Sequence, residues 1–179
     1  PDFQWNRVGG SNPAVSYDFF LDDNIAFTSP LTVQTNILQV GTTSPIIFTS
    51  PNLAEGSYFW KVRSINAGGE KSANTTTRTI NINLPPPAPV LQIPSNGAFT
   101  NDTTPFFGWA DVTDLFGISR YRIEVDNNAN FASNEFSQNL NNPPVNTGSQ
   151  TTSGTLAAGL YNWRVQARDG QPLDGPFSS

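Results

Sequence analysis

The chain states one pattern twice, and that doubling limits its fold more than any other feature. Phe3-Gln4-Trp5-Asn6-Arg7-Val8 returns as Phe107-Gly108-Trp109-Ala110-Asp111-Val112, and Tyr17-Asp18-Phe19-Phe20-Leu21-Asp22 as Tyr121-Arg122-Ile123-Glu124-Val125-Asp126. Phe27 returns as Phe131, so these pairs all lie 104 positions apart. Leu53-Ala54-Glu55-Gly56-Ser57-Tyr58-Phe59-Trp60-Lys61-Val62 returns at Leu156–Val165 with a spacing of 103, a slip that one loop deletion explains. A period this long with its aromatics in phase means tandem copies of one domain. Such copies more often space, display or bind than catalyse.

The 179 residues therefore divide into two domains, expected at 1–84 and 85–179. Only 13% of residues are charged, and Thr, Asn, Ser, Pro and Gly fill out a composition suited to short strands and turns. The chain has no cysteine and no histidine, which removes disulfides, the usual zinc, copper and iron ligand sets, and Ser–His or Cys–His catalysis. Carboxylates leave a hard-cation site open. A net charge of −5 with no basic patch argues against nucleic acid as a partner. No apolar run is long enough to span a bilayer, so no membrane insertion is expected within the segment. With no methionine and no signal peptide, the sequence reads as an internal or processed segment.

Leu84-Pro85-Pro86-Pro87-Ala88-Pro89 reads as a semi-rigid spacer at the domain boundary. Beyond it, Val90 to Ile93 predicts a first strand, closed by Pro94 and the turn Ser95-Asn96-Gly97. Pro105 to Trp109 predicts a second, Ser119 to Asp126 a third and Leu160 to Arg168 a late one. Tyr121, Ile123 and Val125 alternate with Arg120, Arg122 and Glu124, as in strands with one buried and one wet face. Phe136 to Gly154 is Asn/Thr/Ser-rich and predicts strands less clearly.

These residues resemble tandem fibronectin type III or immunoglobulin-like β-sandwiches, such as those of prokaryotic extracellular surface and filament proteins. The resemblance rests on Trp5 and Trp109 and on the Leu-x-x-Gly-x-Tyr-x-Trp-x-Val blocks, and it spans essentially the whole chain. It implies an all-β fold in which Tyr58 and Tyr161 form tyrosine corners, hydroxyls tying a loop to the following strand. It also implies that both copies are cut. Pro1 aligns with Pro105, so the first copy lacks its first strand, the counterpart of Val90–Thr104; the second stops level with about Ala73 and lacks its last. Such strands can belong to a longer array or come from neighbours. The Arg-Gly-Asp tripeptide of some relatives is absent.

Several residues invite a functional reading. Asp126, Asn128 and Asn130, echoed by Asp22-Asp23-Asn24, space oxygens loosely like a calcium loop, but without its glycine and terminal Glu; ordinary turn chemistry fits better. Asp111, Asp114, Glu124 and Glu135 give no selective reason for one raised carboxyl pKa, so no enzyme activity is expected. Trp5, Trp60, Trp109 and Trp163 are in phase with Phe3, Val62, Phe107 and Val165, which makes them core rather than a sugar platform. Asn74 and Asn101 begin sequons that a glycosylating host would read. Phe20 and Phe59 fall on the outward face where the second copy has Glu124 and Asn162, which marks them as an interaction patch.

Together these features point to a structural repeat unit of an extracellular surface or filament protein: a stalk, spacer or fibre building block. Its partners would be neighbouring copies or flanking repeats. The alternative is a binding module, as an adhesin domain or an accessory domain of a carbohydrate-active enzyme, with glycans as ligands. No cofactor is expected under either reading, calcium aside.

Overall fold

Where side chains alternate between apolar and polar, one face of an extended chain must leave water, and the chain does so here as thirteen strands among the described residues. The computed structural model describes residues 1–40, 45–143 and 149–179. The chain divides into two units, Pro1–Ile82 and Asn83–Ser179.

Unit 1 holds β1 (Asp2–Trp5), β2 (Ala14–Asp22), β3 (Thr32–Leu38), β4 (Ile46–Thr49), β5 (Gly56–Asn66) and β6 (Arg78–Ile82). β1 and β4 form a two-stranded antiparallel sheet, and a second sheet runs β3-β2-β5-β6. Between them pack Phe3, Phe19, Leu21, Tyr58 and Val62, with Trp5, Phe48, Trp60, Ile80 and Ile82 around the margin.

Unit 2 holds β7 (Val90–Ile93), β8 (Phe106–Ala110), β9 (Ile118–Asp126), β10 (Phe136–Asn141), β11 (Ser149–Thr152), β12 (Asn162–Asp169) and β13 (Asp174–Phe177). Its sheets run β11-β8-β7 and β10-β9-β12-β13, all antiparallel. Phe107, Trp109, Tyr121, Ile123, Val125, Val165 and Ala167 fill the interior. Three strands facing four, with consecutive strands passing between sheets, is the fibronectin type III and immunoglobulin-like sandwich. The chain is two β-sandwiches of this kind in tandem, with two described strands facing four in unit 1.

The expected strands at 90–93, 105–109, 119–126 and 160–168 stand as β7, β8, β9 and β12, and the unclear 136–154 region supplies β10 and β11. Residues 144–148 of that region lie outside the described residues. Two copies with one fold differ in their sheets. β8 is paired on both edges, by β11 and β7, whereas β1 has only β4 beside it among the described residues. At the other end, Thr75 N–H donates to Val62 O and Ser178 N–H to Val165 O, both at 2.8 Å. Ser178 therefore matches Thr75, and the second copy runs level with Thr76 instead of Ala73. β13 matches the stretch before β6, not β6 itself.

The proline run is not a free spacer. Pro86 is buried. Its carbonyl oxygen lies where a Cβ on Gly175 would stand 2.2 Å away, so glycine is required at that approach. Asn83 Nδ2 donates to Asp169 Oδ2 at 2.6 Å. Extended prolines pack well along a sheet edge because they offer apolar rings and need no donor partner.

Candidate functional site

The repeated blocks first build corners. Tyr58 Oη donates to Ala54 O and Tyr161 Oη to Ala157 O, each at 3.1 Å across four residues. These are tyrosine corners, one per unit. Gly56 and Gly159 lie against the rings of Tyr58 and Tyr161, where a Cβ would meet them at 3.5 and 3.6 Å. A second tyrosine pins the loop after the first tryptophan strand: Val8 N–H donates to Tyr17 Oη at 2.8 Å, and Val112 N–H to Tyr121 Oη at 2.9 Å. The Trp–Tyr pairs above these bonds are superposable, with centroids 5.6 Å apart in both units and interplanar angles of 67° and 68°.

The four tryptophans are not equally covered. Trp109 is fully buried, whereas Trp5, Trp60 and Trp163 are half-buried at the margin of their cores. Tyr161 is likewise half-buried and Tyr58 buried. Three of the indoles thus pack against the core from its margin instead of lying fully inside it. β7 pairs along the β8 edge with Leu91 beside Trp109, and among the described residues no strand pairs along that edge of β1 beside Trp5. Trp163 sits beyond the reach of β13, which pairs with β12 only from Gln166 to Arg168.

The outward face of each four-stranded sheet is also not the wet face expected. Asp18 and Glu124 point away from the core yet are only 1% and 2% exposed. Arg63 reaches Asp18 Oδ2 at 2.8 Å and Lys71 reaches it at 3.5 Å. Glu124 is held by Arg164 at 2.7 Å and also by Arg122. Burial pushes the Asp18 carboxyl up, but hydrogen bonds from the Arg63 side chain and the Asn36 backbone, with the charges of Lys71 and Arg63, hold it below its ordinary 3.8.

Cations on these faces also cover aromatic rings. Lys61 Nζ sits 3.7 Å from the Phe27 centroid, and the Arg164 guanidinium 4.0 Å from those of Phe131 and Phe177. Phe27 and Phe131 both have φ of 52°, an unusual backbone for a bulky residue, and each folds its ring back over the sheet. Sequence reading missed this arrangement. Its signal was there in the phase of Phe27 and Phe131 with Lys61 and Arg164.

The Phe20–Phe59 patch is corrected by the same packing. Both rings are half-buried rather than exposed. Phe20 pairs across β2–β5 with Lys61 and Phe59 with Asp22, so the two are diagonal neighbours, not a direct pair. Arg63 lies 5.2 Å and Lys61 6.0 Å from the Phe20 centroid. Long cationic stems cover an apolar ring while keeping their heads in water.

The calcium candidates serve the turn. Asp126 Oδ1 accepts from Asn128 N–H at 2.7 Å, and Oδ2 from Ser133 N–H at 3.1 Å. Asn130 Oδ1 accepts from Ala132 N–H at 3.1 Å, while Asn128 Nδ2 donates to Asn127 Oδ1. Asp and Asn oxygens that bond their own backbone are ordinary turn chemistry. Among the described residues, no group of three or more acidic side chains could hold a metal ion.

The acidic candidates are similarly engaged. Asp114 Oδ1 accepts from Phe116 N–H and Glu135 Oε2 from Asn127 N–H. Glu124 is in its arginine clamp, and Asp111 is also partnered. The sequon residues Asn74 and Asn101 are exposed, outside any strand.

A cleft of about 500 Å³ opens in unit 1, lined by Gln4, Trp5 and Asn6 on one side and Ser64, Ser72 and Thr75 on the other, with Arg63 and Arg78 beside it.

No protein-family model matches the chain, and no curated protein matches it in sequence. Solved structures similar to it include the fibronectin(III)-like modules of CbhA from Clostridium thermocellum, at 16% identity over 99% of this chain and 82% of that one, with a TM-score of 0.39. The FN1–FN3 domains of chicken CNTN1 match at 14% identity over 99% of this chain and 56% of that one, with a TM-score of 0.36. An α-L-rhamnosidase from Dictyoglumus thermophilum matches at 10% identity over 99% of this chain and 26% of that one, with a TM-score of 0.37. At these values the fold assignment rests on the strand order and the two corners. No helix is long and apolar enough to cross a membrane among the described residues.

Proposed function

We propose that the chain is a structural repeat unit of an extracellular surface or filament protein, with neighbouring copies or flanking repeats as its partners. One observation supports this reading above others: what recurs between the units is framework, whereas the charged cluster around Asp18 does not recur. The corners, the Trp–Tyr pairs and the loop-closing aspartates Asp22 and Asp126 recur. The buried ion cluster of Asp18, Arg63 and Lys71 is replaced in register by Arg122, Gln166 and Asp174. Duplicated binding or catalytic units would be expected to repeat the groups that do the work. Duplicated spacers need repeat only what holds them together.

Labelling of intact source cells with an antibody to residues 1–179 tests the role. Surface or filament labelling without permeabilisation is the expected result. Signal that requires permeabilisation would overturn it.

A further inference from the structure

We propose that β10 is a pairing edge between copies of this chain: two β10 strands meet antiparallel about a two-fold axis at Asn139 and join their four-stranded sheets into one. This names a contact between copies that the role proposed above leaves unplaced, and it is tested on the purified chain, wherever the protein is displayed.

A sheet edge presents unpaired N–H and C=O groups, and chains guard such edges with charge, proline, bulges or shortness. Among the described residues the four sheets have eight edge strands, and all but β10 are guarded in one of these ways. β1, β4, β7, β11 and β13 are four residues long; β1 also carries Asp2, and β13 carries Asp174 and Pro176. β6 begins at Arg78. β3 is interrupted by a bulge around Asn36, whose φ is 56°. The six residues of β10 have neither charge nor proline and run in unbroken register with β9, and no strand pairs along their other side among the described residues. The matching edge of unit 1 is the bulged β3, so the open edge belongs to this copy and not to the fold.

The ladder fixes which groups face outward. Asn142 N–H donates to Ser119 O at 2.8 Å, and hydrogen-bonded residues alternate along an antiparallel pair. Phe136, Gln138 and Leu140 therefore bond to β9, while Ser137, Asn139 and Asn141 turn their N–H and C=O groups outward. The same three residues are exposed. A two-fold axis at Asn139 sets Asn139 against itself and Ser137 against Asn141, so every outward residue finds a hydrogen-bonded partner in one register.

The occupant is a second copy because this edge is complementary to itself. Asn and Ser side chains both donate and accept, so each of those pairs can close with its own kind. No residue from Phe136 to Trp163 is charged, so two chains of net charge −5 meet there without like charges opposed across the join. Arg120, Arg122 and Glu124 sit one strand back, on β9. In the joined sheet the two β9 strands stand three strand spacings apart, about 14 Å, beyond the Debye length of about 8 Å at physiological salt. An edge this short covers much less than the roughly 1,600 Å² of a standard interface, so one contact is weak and gains strength by repetition along an array.

Sedimentation and amide exchange of the full chain, over concentrations rising to about 1 mM, test the pairing. A monomer–dimer equilibrium is expected, with protection at Ser137, Asn139 and Asn141 that grows with concentration. Asn139→Lys and Asn139→Asp each set like charges on the axis, and each should weaken self-association at least about tenfold. Mixing the two variants opposes unlike charges and should restore it. The unfolding midpoint of unit 2 should stay the same in both, as expected of surface substitutions, which separates lost pairing from lost fold. A monomer at every concentration, dimers that survive both substitutions, or a mixture that fails to pair would overturn the proposal. So would protection confined to other strands, which would place the contact elsewhere.

Discussion

Trp5 and Trp109 occupy the same place in two copies of one sandwich, packed on Tyr17 and Tyr121 at the same 5.6 Å, yet only Trp109 is sealed from water. The difference lies in what covers the indole, not in the indole's own contacts. Trp109→Ala should cost unit 2 about 3–5 kcal/mol, the usual loss for emptying a buried large aromatic. Trp5→Ala should cost unit 1 roughly 1–2 kcal/mol, since much less apolar area returns to water. Denaturant melts of the two variants, followed unit by unit, check the ordering. Equal losses would mean that coverage does not decide the cost.

The two tyrosine corners give a matched pair of predictions. Tyr58→Phe and Tyr161→Phe each remove one hydroxyl donor and leave a carbonyl, Ala54 O or Ala157 O, to find water. Each should destabilise its own unit by about 1 kcal/mol and leave the other unchanged. The unit-specific midpoints report this, and a loss shared across both units would contradict it.

Much of this framework was legible in the sequence. The alternation of Tyr121, Ile123 and Val125 gave β9 its inward face, a local consequence of strand periodicity, and the family resemblance carried by the Leu-x-x-Gly-x-Tyr blocks implied both corners. The cover on the outward faces was not legible. Alternation assigns Asp18 and Glu124 to the far side of the sheet, but their burial depends on Arg63, 45 residues away, and Arg164, 40 residues away, arriving in register. The partial burial of Trp5 was not legible for a similar reason, since β1 has only β4 beside it among the described residues. The cover on Phe20 is equally non-local, since Lys61 and Arg63 come from β5.

The Asp18 cluster makes unit 1 sensitive to acid. Its carboxyl is held below 3.8 in the folded chain, so it contributes stability that is complete above that value. The contribution is lost as pH falls through the lower folded value. The midpoint of unit 1 should therefore drop more steeply below about pH 4 than that of Asp18→Asn, which has no proton to take up. Parallel slopes for the two proteins would show that Asp18 does not carry the effect.

Extension of the single chain between two handles tests the central claim, that these are two sandwiches whose repeated residues are mechanical framework. Two separate unfolding events are predicted, each releasing roughly 250–300 Å of chain, as units of this length allow. In Trp109→Ala one event should weaken while the other keeps its force. A single event that releases the whole chain, or extension with no force peak, would contradict the account.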